Sequence, residues 1–194
     1  FVLDYLLEEV FQQQPMSIQH FLLQTAILDQ LCGPLCDAVC HTPSGTGQTT
    51  LAAIERANLF LVPLDDERRW YRYHHLFGAF LRERLVYDAQ VGKADIAALH
   101  TRASRWYEAE GLDHEALQHA AAAADHDRVA ELAERTWQRM DSSFQTAAWR
   151  RWVQYVPEEL LLSRPELCIQ YANVLMGAGE LEAGEARLRD AERR

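Results

Sequence analysis

Four stretches of this 194-residue sequence combine residue types that could bind a ligand. The first is the histidine pair His74-His75, set between the aromatic run WYRY and the apolar run LFGAFL. An imidazole can donate or accept a hydrogen bond and carries a positive charge when protonated. The second, SGTGQTT at residues 44–50, has the composition of a phosphate loop. A working loop needs G-x-x-x-x-G-K-[ST], with a lysine for the outer phosphates and a strand before it. This stretch has neither and reads as a solvated loop. The third is Cys32, Cys36 and Cys40 with His41, which recur every four residues and could share one helical face. Zinc favours cysteine pairs from separate elements that wrap a tetrahedron, so no metal site is expected and core packing is the better role for these thiols. The fourth is Arg150-Arg151 between Trp149 and Trp152. That mixture can stack on nucleic acid, yet on an amphipathic helix it divides into a buried aromatic stripe and an exposed charged one. His100, His114, His119 and His126 are scattered and read as solvated or capping residues. Acidic residues fall at solvent-face spacing throughout the second half, so no catalytic residue and no enzymatic activity are predicted.

The bulk properties narrow the setting. A chain of this length buries roughly 70% of its unfolded surface and needs neither disulfide nor metal to fold. Its formal net charge is -10, and its basic residues are not gathered on one segment, which disfavours direct DNA binding. Four cysteines, three of them clustered, do not make the spaced framework of a secreted module, so reduced thiols and a cytoplasmic location are expected. No apolar run approaches 18 residues, and no membrane span is expected. Phe1 opens directly into an amphipathic pattern and Arg194 closes one, so an internal fragment of a longer polypeptide is expected.

The positioning elements follow from periodicity. FVLDYLLEEVFQQ spaces Val2, Leu3, Leu6, Leu7, Val10 and Phe11 as one helical face and stops at Pro15. Ser17 is placed to cap a second helix carrying Phe21, Leu22, Ala26 and Leu28, and Gly33-Pro34 opens a third, LCDAVC. A fourth is predicted from about Thr49 to Asn58, with Leu51, Ile54 and Ala57 on one side. LFLVPL, the acidic turn DDE and RRWYRYH make the one hairpin candidate, with Pro63 tolerable only at an edge. Helices, a two-stranded wing and the further helix HLFGAFLRERL together form a winged helix. From Gly92 onward the pattern is helix, short turn and antiparallel helix. Gly111 with Ala116 and Gly179 with Ala183 provide turn glycines and small contact residues, and the two alanines stand 67 residues apart, near twice a roughly 34-residue period. Pro157 and Pro165 bracket the connector EELLLSR. The expected class is therefore mainly α, a winged-helix domain with one small hairpin followed by an α-solenoid of tetratricopeptide-like helix pairs. The predicted organisation is a linking helical segment at 1–14, a winged helix at 15–90 and repeats at 91–194.

The segment WYRYHHLFGAFLRERL, with FVLDYLLEEVF, FLLQTAILDQL, PLCDAV and the downstream LHTRASRWYEAEGLDHEALQHAAAAADHDRVAEL, resembles the maltose-regulator-like branch of the LuxR-type activators, members of the STAND ATPases. The resemblance spans most of the first 135 residues, and the final 60 are similar only as generic helical repeats. It implies a regulatory role beside an ATPase module of the same chain, an inducer or protein partner received by the repeats, and DNA contact through a separate C-terminal domain. In related switches a His in a Met-His-Asp motif approaches the phosphate of bound ADP. Matched by position, His74 takes that place, with Tyr73 for the Met and His75 for the Asp. The resemblance thus implies ATP or ADP in the whole protein, no cofactor held by this segment alone, and His74 with His75 as candidate nucleotide-contacting residues. The alternatives are a winged helix that binds DNA itself, a protein-binding repeat scaffold without nucleotide contact, and two histidines that merely cap or pack the following helix.

Overall fold

The computed structural model describes residues 2–87 and 93–192. The chain is mainly α with one small sheet and divides into two compact units, Phe1–Ala103 and Ser104–Arg194. The domain boundary expected between residues 90 and 91, and Gly92, lie outside the described residues.

In the first unit, α1 (Val2–Gln12) uses a narrower face than its periodicity predicts. Leu7 and Phe11 are buried, whereas Leu6 is exposed. Phe11 meets Phe80 edge-on at 6.0 Å, and Glu8 pairs with Arg84 at 3.0 Å, which fixes α1 on α5 (His75–Tyr87). The next helix, α2 (Met16–Thr25), starts one residue before the predicted Ser17 cap. Ser17 makes no capping bond because the chain is already helical there, with the Pro15 carbonyl accepting the N–H groups of Ile18 and Gln19. Phe21, Leu22, Ala26 and Leu28 are buried as their spacing requires.

Three strands form the sheet, in the order β1-β3-β2, all antiparallel: β1 (Leu31–Cys32), β2 (Leu61–Pro63) and β3 (Trp70–Tyr73). The predicted hairpin is β2-β3, and Pro63 does lie on an edge strand, where its missing N–H breaks no ladder. The third strand, β1, was not foreseen, since two residues carry no alternation to read. It also corrects the cysteine pattern. Cys32 sits on β1 opposite Trp70, while Cys36 and Cys40 belong to α3 (Gly33–Cys40), so the three thiols do not share a helix.

Between α3 and α4 (Thr46–Arg56) the backbones come close together. A Cβ on Gly47 would stand 2.4 Å from the Gly33 carbonyl oxygen, so only glycine fits. Part of the supposed solvated loop at 44–50 is therefore helix, which begins at Thr46 rather than Thr49. The cause is the Asp37 carboxylate, which accepts from Gly47 N–H at 2.6 Å, Gly45 N–H at 2.8 Å and the Thr42 hydroxyl at 2.9 Å.

The second unit begins within α6 (Lys93–Ala109) and continues through α7 (Asp113–Ala122), α8 (His126–Ser142), α9 (Thr146–Val153), α10 (Glu158–Leu162), α11 (Pro165–Gly177) and α12 (Leu181–Glu192). The predicted connector EELLLSR contains the five-residue α10, because Pro157 precedes one turn of helix and Pro165 opens the next. Small residues mark the close contacts. Ala116 is fully buried, but in the last pair it is Gly184, not Ala183, that faces its neighbour: a Cβ there would meet Met176 Cγ at 2.5 Å. Ala116 and Gly184 stand 68 residues apart, twice the roughly 34-residue period. The middle pair departs from it because α9 fills its contact with Trp149, whose indole N–H donates to the Ala133 carbonyl at 2.9 Å. His119 is also corrected. It is buried and stacked on Tyr107 at 5.3 Å rather than solvated.

Candidate functional site

The strongest sequence candidate, His74, lies where β3 ends and α5 begins, and the local fold explains why its position is held. Side chains alternate across β3, so Tyr71 and Tyr73 point inward and Arg72 outward. Tyr73 shares a buried 2.7 Å hydrogen bond with Thr25, whose hydroxyl also donates to the Phe21 carbonyl at 2.7 Å. Burial pushes the Tyr73 phenol well above its ordinary range, so it stays neutral and keeps that bond. Its ring meets Phe77 edge-on at 5.9 Å, and Phe77 in turn packs on Phe60 at 5.3 Å. Phe60, at φ 53°, turns its carbonyl to accept the His74 N–H at 2.7 Å. The His74 carbonyl accepts the Gly78 N–H at 2.9 Å and so closes the first turn of α5.

The backbone of His74 is thus fastened on both sides while its ring stays half-exposed, 4.4 Å from the exposed ring of His75. Neither imidazole has a hydrogen-bond partner among the described residues. Both stand at the positive end of a 13-residue helix, whose first N–H groups lack intrahelical acceptors. This donor set suits one contact to a phosphate oxygen. By itself it does not make a nucleotide site, because no phosphate-loop sequence accompanies it. The sequence motif brought His74 and His75 to one corner. It did not reveal Tyr73, Thr25 and Phe60, whose roles arise from contacts between distant segments.

The other candidates part company. SGTGQTT is the turn and first helical turn of a helix-turn-helix, held by Asp37. Of the exposed residues on α4, Thr46, Thr49 and Arg56, one is a cation. Cys32 and Cys36 are buried and Cys40 partly so: burial holds Cys36 well above 9.0 and raises Cys40 to about 12, with Arg102 opposing the latter. Among the described residues no group of three or more His, Cys, Asp or Glu is placed to hold a metal ion, and no helix is long and apolar enough to cross a membrane. Trp149 is buried and Arg151 exposed, while Arg150 makes a two-bond pair with Glu180 at 2.6 and 3.0 Å.

Three helices, a strand between the first two, a hairpin and a closing helix form a winged helix, and its sequence compares accordingly. Residues 7–93 match the MalT winged helix domain. This MalT-like winged helix occupies nearly half of the chain. Over 175 residues, 89% of its length, the chain is also 31% identical to serine/threonine-protein kinase PknK of Mycobacterium tuberculosis and of Mycobacterium bovis. It spans about 15% of the length of these curated relatives. The likeness to PknK therefore runs through the winged helix and on into the helical repeats.

Proposed function

We propose that this chain is the coupling and sensing part of a larger, ATP-dependent bacterial transcription activator, working in the cytoplasm and doing no chemistry of its own. In this reading it belongs with the LuxR-type, STAND-like regulators. The winged helix reports the nucleotide state of an adjacent ATPase module, and the helical repeats receive an inducer or protein partner. DNA is contacted through a separate domain. Beyond the MalT-like match, the observation that carries the reading is the His74 corner: a clamped backbone presenting, at a helix N-terminus, a half-exposed imidazole with no hydrogen-bond partner among the described residues.

His74, with His75 beside it, would hold one oxygen of the ADP phosphate, and the nucleotide's charge would strengthen that bond. A contact of this kind biases the switch only if it is made in one state and not the other. Helix α5, which carries the histidines at one end and the Glu8–Arg84 pair to α1 further along, would pass that bias towards the ATPase module. The test is calorimetric titration of ADP and of ATP into the full-length protein and its His74→Ala variant. Selective weakening of ADP binding with raised basal transcription is expected. Unchanged affinities for both nucleotides would refute the nucleotide-reporting role and leave a scaffold that binds partners alone.

A further inference from the structure

The repeats hold an open groove of about 750 Å³ among the end of α8, the start of α9 and the end of α11, lined in part by Trp137, Asp141, Phe144, Arg150, Asn173 and Gly177. Phe144 is its unusual member. It is 94% exposed and adopts φ 59°, the left-handed conformation that a bulky residue rarely takes. The corresponding turns of the flanking helix pairs use Gly111 at φ 73° and Gly179 at φ 84°. Ala124, in the turn between α7 and α8, takes the same conformation at φ 54°, so what sets Phe144 apart is a large apolar ring held there almost wholly in water. Strain of this sort concentrates at functional sites.

Its neighbours define what it would meet. Asp141 lies one turn beyond Trp137 on α8, so the carboxylate and the indole share a face. The Phe144 N–H donates to the Asp141 carbonyl at 3.0 Å, which fixes the backbone of the turn, and all three residues line the same groove. Trp137 is braced edge-on against the buried Trp149 at 4.8 Å. Arg150, the cation in the groove, is neutralised by its two bonds to Glu180. The exposed Asp141 carboxylate has no partner among the described residues and is the uncompensated charge in a groove also lined by Phe144 and Trp137.

We propose that this groove receives an arginine- or lysine-bearing segment of a partner protein, its cationic head held between Phe144 and Trp137 and paired with Asp141. Two aromatic faces and a carboxylate are the chemistry that selects a cation, and the chain's net charge of -10 favours such a partner over a second copy of itself. The inference rests on reading the repeats as the partner-receiving part, but nucleotide titration does not involve this groove, so the two can fail separately.

The probe is a fluorescein-labelled twelve-residue peptide alternating arginine and leucine, titrated into the 194-residue chain and followed by anisotropy, with a glutamate-for-arginine peptide and free arginine amide as comparison ligands. Saturable binding of the arginine peptide is expected, weakened about tenfold by Asp141→Asn and by Phe144→Gly, and unchanged by Glu185→Gln, a carboxylate elsewhere on the unit. Phe144→Gly relieves the left-handed strain, so its melting temperature should be equal or higher, which separates lost binding from lost folding. Three results would overturn the proposal: binding indifferent to both groove variants, preference for the free amide over the peptide, or a Phe144-dependent dimer by sedimentation that accounts for the groove.

Discussion

Replacing Asp37 with alanine should unfasten the turn that presents α4. Its carboxylate is the acceptor for Gly47 N–H, Gly45 N–H and the Thr42 hydroxyl. Gly47 is buried, so its N–H would lose a charge-assisted bond with no water to replace it, at a cost of about 1–3 kcal/mol. Gly45 is exposed and its N–H can turn to water, which leaves the loss of a helix-terminal acceptor, about 1 kcal/mol. The total, about 3 kcal/mol, corresponds to a fall in Tm of about 12–24 °C for a unit of this size. Differential scanning calorimetry of the whole chain measures the fall, and hydrogen exchange at the Gly45 and Gly47 amides locates it. Asp37→Asn keeps one acceptor oxygen and should lie between wild type and alanine. If both variants melted within 2 °C of wild type and the Gly47 amide kept its protection, the claim that this carboxylate organises the turn would be wrong.

Close contact and burial give three further predictions. Gly47→Ala drives a methyl group into the Gly33 carbonyl and against Cys36 Cβ at 3.0 Å, so the α3–α4 pair should part at a cost of about 1–3 kcal/mol, read from the urea midpoint. Because burial raises the Cys36 and Cys40 pKa values above 9.0, the latter to about 12, the folded chain keeps protons that the unfolded chain gives up. Their contribution to stability is complete below pH 9 and declines as pH rises towards 12, which denaturation midpoints across that range will show. At pH 8 iodoacetamide should label both thiols only after unfolding.

Periodicity made much of the fold legible. Helical spacing identified the buried face of α2 and, in α4, Leu51 and Ile54, though Ala57 lies exposed beyond the helix's end, and the aromatic run after the acidic turn marked the wing, because a residue's side in a helix or strand is set by the local backbone repeat. The motif WYRYHH likewise located His74 and His75, since adjacency along the chain is adjacency in space. Contacts between segments far apart in sequence obey no such repeat. That Tyr73 reaches Thr25, that Asp37 turns back on Gly45 and Gly47, that β1 adds a two-residue strand, and that Gly184 rather than Ala183 meets Met176 were decided by how helices pack. Offsets of a single residue rotate a side chain by about 100° on a helix, enough to exchange buried for exposed, and only the packed partner fixes that angle. The same is true of Phe144: its sequence neighbourhood, SSFQ, reads as an ordinary turn, and the glycine-like φ and nearly complete exposure of its ring belong to the tertiary structure alone.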